Sequence, residues 1–141
     1  MKRLLTLTAL IEVPTGLGLI FLPVVVVQLL LGSPLETSAA TILGRVAGVA
    51  VFALGLACWL ARNDTQNRAA RGLVVAMLLY NAAVAGLLVY TRLYPGLHGI
   101  AIWPVVVIHA IMAIWCLACL TRRPITSNSE WLHRDRTYVF K

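Results

Sequence analysis

Four long apolar runs, each interrupted by one strongly polar residue, limit what this chain can fold into more than any other feature. The interrupting residues are Glu12, Arg45, Asn81 and His109. A helix needs roughly 20 apolar residues to cross the hydrocarbon core of a bilayer, about 30 Å thick, and each run reaches that length. Polar and ionisable side chains are costly in hydrocarbon, and they survive there by facing other helices or a cavity. One such residue in every run therefore predicts an all-α integral membrane four-helix bundle with a polar interior.

Composition agrees. The chain has 141 residues, 60% hydrophobic and only 12% charged, whereas soluble domains run at about 45–50% apolar and about 25% charged. A length of 141 residues gives room for one domain, expected over 1–123, followed by a basic, aromatic tail over 124–141. The net charge of +7 raises the question of nucleic acid, but the placement of the charges answers it. Lys2 and Arg3 precede the first run, Arg62, Arg68 and Arg71 lie between the second and third, and Arg122, Arg123, Arg134, Arg136 and Lys141 follow the fourth. The other two gaps hold Glu36 and Arg92. That alternation is the positive-inside pattern. It predicts up-down-up-down spans in a bacterial inner membrane with both termini cytoplasmic, and the partners expected are lipid and other membrane subunits or a second copy, not nucleic acid. The first run is longer than the roughly 7–15 apolar residues of a signal peptide and has no small-residue cleavage site close behind it. It reads as an uncleaved span.

The spans are expected at about 4–22, 39–61, 72–90 and 100–120. Between the first two, Val24 to Leu31 is too short to cross, and reads as a short outer helix closed by Gly32-Ser33-Pro34. Ser127 and Glu130 in the tail fit a capping box, in which each side chain satisfies an orphan amide of a first turn. For packing, Gly44, Gly48 and Gly55 share one stripe of the second span, and Ala82-x-x-x-Gly86 marks the third. Small residues at such spacing let membrane helices approach closely.

Counted from the cytoplasmic helix ends at about 1.5 Å per residue, Glu12, Asn81 and His109 fall at roughly 12–17 Å and Arg45 at roughly 24 Å. The set makes a candidate binding layer for a lipophilic head group, or a polar contact that fixes the register of the helices. Thr8 and Thr15 flank Glu12 on its own face.

The remaining reactive residues point less clearly to chemistry. His109 shares a face with Met112 and Cys116, but His109 and Cys116 are about 10.5 Å apart along the axis, too far to share one metal. A haem held by two histidines would need a second chain. Cys116-x-x-Cys119, with Cys58 at similar depth, invites a thiol redox reading. It is weakened by a reducing compartment and by apolar surroundings. Three cysteines are too few for a four-cysteine zinc site, and no nucleotide loop, catalytic triad or His-Glu-x-x-His motif is present.

Phe21-Leu22-Pro23 closing the first span, Gly44-Arg45-x-x-Gly48 opening the second with Gly55 after it, and a histidine in the last span resemble small four-helix bacterial inner-membrane proteins of the DoxX-like group. The resemblance covers about 4–120 and implies the bundle fold and links to redox or quinone-associated membrane complexes. It implies no functional residues. The expectation is a non-enzymatic accessory or assembly subunit of a larger membrane complex, with no cofactor. The second reading is a binding or carrier protein for a quinone-like molecule at Glu12, Arg45, Asn81 and His109. The third is a thiol or haem redox protein.

Overall fold

A computed structural model describes residues 1–64, 68–93 and 97–121 of the chain. It contains five helices: α1 (Lys2–Phe21), α2 (Pro23–Leu31), α3 (Ser38–Ala61), α4 (Arg68–Thr91) and α5 (Ile102–Thr121). All but α2 are long and apolar enough to cross a membrane. The chain is an all-α bundle and, by the length and composition of these helices, a multi-pass membrane protein. The capping box at Ser127 and Glu130 lies outside the described residues, as does the rest of the tail.

The bundle is two antiparallel hairpins, α1 with α3 and α4 with α5. We call the end holding Lys2, Ala61, Arg68 and Thr121 the basic end, and the opposite one the α2 end. Glycines set the spacing of the first hairpin. A Cβ on Gly48 would sit 2.8 Å from the backbone nitrogen of Ile20, and one on Gly16 2.8 Å from the carbonyl oxygen of Gly48. At Gly55 it would sit 2.9 Å from the nitrogen of Val13. Backbone thus lies on backbone, as small residues permit where lipid supplies no hydrophobic drive between helices. Gly44 belongs to a different contact: its nearest neighbours are the side chains of Pro23 and Leu35. Ala82 and Gly86 are exposed, with open space where a Cβ on Gly86 would be. This pair of small residues therefore does not pack the helices of this chain together, because α4 meets its neighbours through Val74, Met77, Asn81 and Leu88 instead.

Local chemistry explains the helix ends. Pro23, which lacks an amide donor, begins α2 at a position where a donor would be unpaired anyway, and Leu22 breaks the helix there with ψ at 48°. Gly32 closes α2 in the left-handed region at φ 78°, its amide donating to Gln28 O at 2.8 Å. The closing turn packs against the backbone of His98 and Gly99, and the Ala101 amide donates to Leu29 O at 3.0 Å. So α2 ties the first hairpin to the entry of α5. At the start of α3, Thr37 Oγ1 accepts from the Ala40 amide at 3.1 Å. At its other end the Arg62 guanidinium donates to Trp59 O and lies 3.6 Å from the Trp59 ring centroid. The Arg71 guanidinium donates to Leu120 O at 3.2 Å, meeting a carbonyl that the end of α5 leaves unpaired.

Candidate functional site at mid-bundle

The site starts from the stripe that α1 buries. Leu4, Leu5, Thr8, Ala9, Glu12 and Gly16 recur at the three- and four-residue spacing that keeps one helix face toward neighbours. Glu12 sits within that face and is 4% exposed. Its partner is Tyr80 of α4, whose hydroxyl donates to Glu12 Oε2 at 3.2 Å. Next to Tyr80, Asn81 is 1% exposed. Its Nδ2 donates to Met77 O one turn back at 2.7 Å, which turns Oδ1 toward α5. There Oδ1 lies 2.8 Å from His109 Nδ1. An amide oxygen only accepts, so Nδ1 is the donor. The rings of Tyr80 and His109 meet edge to face, 5.6 Å between centroids and 75° between planes. Acid, phenol, imidazole and amide thus make one contiguous layer built from α1, α4 and α5.

Three of the four residues singled out from the sequence meet here, and Arg45 does not. It is exposed on α3. Gly55, the α3 residue lying against Glu12, is ten positions away, about 15 Å along the axis, farther than an arginine side chain reaches. The part of α3 at the layer is backbone rather than a polar group. Thr15 is also exposed and donates to Ile11 O at 2.8 Å within its own helix. Thr8 is buried, with its hydroxyl lacking a hydrogen-bond partner among the described residues. Tyr80 is the member that sequence reasoning overlooked. The signal was there: tyrosine belongs at a membrane interface, and one in the middle of a span has to find a partner for its hydroxyl.

Tyr80 and His109 are only half-buried, while Glu12 and Asn81 are sealed. The layer is therefore closed at Glu12 and Asn81 and partly exposed at the two rings. An apolar groove of about 310 Å³, lined by Ala9, Leu10, Val13, Pro14, Phe52, Leu56 and Trp59, opens elsewhere along the first hairpin and touches no member of the layer.

Cys58 and Cys116 are buried, Cys119 is half-buried, and all three are free thiols. Among the described residues no three of His, Cys, Asp and Glu converge as a metal-binding group would. No family model matches the chain, and neither the curated proteins nor the solved structures give a match to it.

Proposed function

We propose that this protein binds a lipophilic small molecule by its polar head, of the quinone kind, at the Glu12-Tyr80-Asn81-His109 layer. The observation that carries the reading is the asymmetry of that layer: two sealed polar groups behind two half-open ones. If these residues only set helix register, nothing would require Tyr80 and His109 to keep an open side. The orphan hydroxyl of Thr8, one turn from Glu12, points the same way, since buried polar groups generally find partners. The distribution of Lys and Arg supports a bacterial inner membrane with both termini cytoplasmic, so the half-open edge would lie at mid-membrane depth, where a lipophilic head group can arrive laterally. The likeness to DoxX-like proteins rests on the sequence motifs alone and agrees with this class of ligand.

The test is mass spectrometry of protein released intact from nanodiscs made with native lipid extract. The wild type should retain one lipophilic molecule, and Glu12→Gln and Tyr80→Phe should lose it while remaining folded. Equal retention by all three, or none by the folded wild type, would exclude the reading.

A second reading, an accessory or assembly subunit of a membrane complex, is favoured by a different observation. Arg45 stands exposed seven residues into α3, and the Ala82 and Gly86 face of α4 is uncovered. A charge and a smooth small-residue face on the outside of a bundle suit a neighbouring chain. Co-purification of the same partner subunit with wild type, and its loss with Gly86→Leu, would support this reading. A lone chain in native detergent would exclude it.

A further inference from the structure

The groove along the first hairpin has walls, a length and a charged end. Two stripes wall it, each at the spacing that keeps residues on one helix face. Leu10, Val13 and Pro14 form one stripe on α1, and Phe52, Leu56 and Trp59 the other on α3. Ala9 also lines the groove and is buried, whereas Leu10, Pro14, Leu56 and Trp59 are exposed. Gly16, Gly48 and Gly55 hold the two helices backbone to backbone, and the bulkier side chains beside that seam stand up around it. The groove thus opens away from the bundle, on a surface that a membrane-spanning chain turns toward lipid.

Its length fits one leaflet. With α3 ending at Ala61, Trp59 lies about 3 Å and Phe52 about 14 Å from the basic end of the helix. Half of the hydrocarbon core is about 15 Å, so the groove starts near the head groups and stops near the midplane. Arg62 stands at its basic end, with the guanidinium 3.6 Å from the ring centroid of Trp59, a wall residue. Gly55 lies against Val13, so in the antiparallel pair Arg62 is level with Thr6, and Arg3 is about 4.5 Å further out. Arg3 also precedes Leu10 by seven residues, two turns along the same face. Arg62 is half-buried and Arg3 exposed. Among the described residues, this end carries Lys2, Arg3, Arg62, Arg68 and Arg71 against one carboxylate, Asp64.

Shape and charge together select the occupant. A volume of about 310 Å³ is at the low end for small-molecule sites, about 300–1,000 Å³. A helix with its side chains is about 10–12 Å across, too broad for such a groove, whereas a single hydrocarbon chain lies along it. The apolar lining gives a polar head nothing to bond, and the arginines at the end give an anion a partner. We propose that the groove holds one acyl chain of an anionic phospholipid from the leaflet at the basic end, with Arg62 and Arg3 meeting its phosphate. Basic clusters at the ends of membrane helices attract anionic head groups, and the planar guanidinium matches phosphate with paired donors. A zwitterionic lipid brings the same tail but adds a positive charge of its own beside the arginines, so the head decides the selection. The groove shares no residue with the polar layer, and this binding does not depend on what the layer holds.

The experiment places the full chain in nanodiscs of phosphatidylcholine with a minority of phosphatidylglycerol, and native mass spectrometry counts the lipid that stays bound on release. One phosphatidylglycerol per chain should be retained, enriched over its share of the nanodisc. Arg62→Gln should lower that enrichment about fivefold, the factor that one basic residue near an anionic surface is worth. Arg62→Lys keeps the charge and should keep most of the enrichment. Leu10→Trp adds bulk to the groove from a position 60% exposed, away from the buried face of α1, and should lower retention at least as far. Soluble glycerol phosphate, a head without a tail, should not displace the lipid. A folded wild type that retains the two lipids in nanodisc proportions overturns the proposal. So does enrichment that survives either Arg62→Gln or Leu10→Trp, or displacement by glycerol phosphate, which would assign the binding to the anion alone.

Discussion

At the scale of single residues, the layer is read from how each polar group is satisfied. Glu12 accepts a hydrogen bond from Tyr80 at 3.2 Å, and Asn81 bridges its own helix and His109. Polar contacts between membrane helices average about 0.6 kcal/mol and reach about 1.7. Tyr80→Phe should therefore lower stability by about 0.6 kcal/mol, measured by reversible unfolding in mixed micelles. Asn81→Leu should cost nearer the upper figure, because it strands the His109 donor at a site from which water is largely excluded. A Tyr80→Phe loss of several kcal/mol would mean that the layer is chiefly structural. Glu12, Asn81 and His109 were legible in the sequence because each is conspicuous in an apolar run. Tyr80 was not, because an aromatic blends into a membrane span. Arg45 misled for the opposite reason: a charge stands out whichever way it faces, and only its shallower depth separated it from the other three.

Helix-scale packing divides according to what each glycine meets. Gly48 faces the backbone of α1 and Gly86 faces open space. Gly48→Ala forces backbone apart and should destabilise by about 1–3 kcal/mol, the range for overpacking. Gly86→Ala should change stability by less than about 0.5 kcal/mol, as surface substitutions do. Thermal unfolding of the two variants side by side checks the pair, and equal losses would contradict the packing described. The four spans and the short α2 were legible because bilayer thickness fixes a length and because Pro23 and Gly32 mark α2. Which small-residue motif packs against which helix was not legible. Spacing places Gly44, Gly48 and Gly55 on one stripe, but where the neighbouring helix ends decides that Gly44 meets Pro23 instead of α1. The same spacing in Ala82 and Gly86 says nothing about which side of α4 is covered.

For the whole molecule, two hairpins are held together by a shared interior in which one apolar cluster, with Leu4, Leu5, Cys58, Val74 and Cys116 among its members, lies toward the basic end and the hydrogen-bonded layer lies above it. Four crossings put residue 2 and residue 121 on the same side, and the proposed orientation, drawn from the charge pattern, has that side in the cytoplasm. Reporter fusions after Thr121 should be active in the cytoplasm, and a reporter placed at Thr37 should be active only outside. The reverse outcome would invert the topology. The fold class could be read from the sequence because a membrane leaves the backbone few choices. The membership of the core cluster could not, since residues of α1, α3, α4 and α5 meet there only through tertiary packing.

The most direct test of the central claim is solid-state NMR of the full chain in lipid bilayers, with labels at Glu12, Tyr80, Asn81 and His109. The structure predicts cross-peaks between the Glu12 carboxyl and the Tyr80 ring and between Asn81 and His109, with none from Glu12 to lipid acyl chains. Strong contacts from Glu12 and His109 to acyl chains, with the two pairs silent, would contradict it.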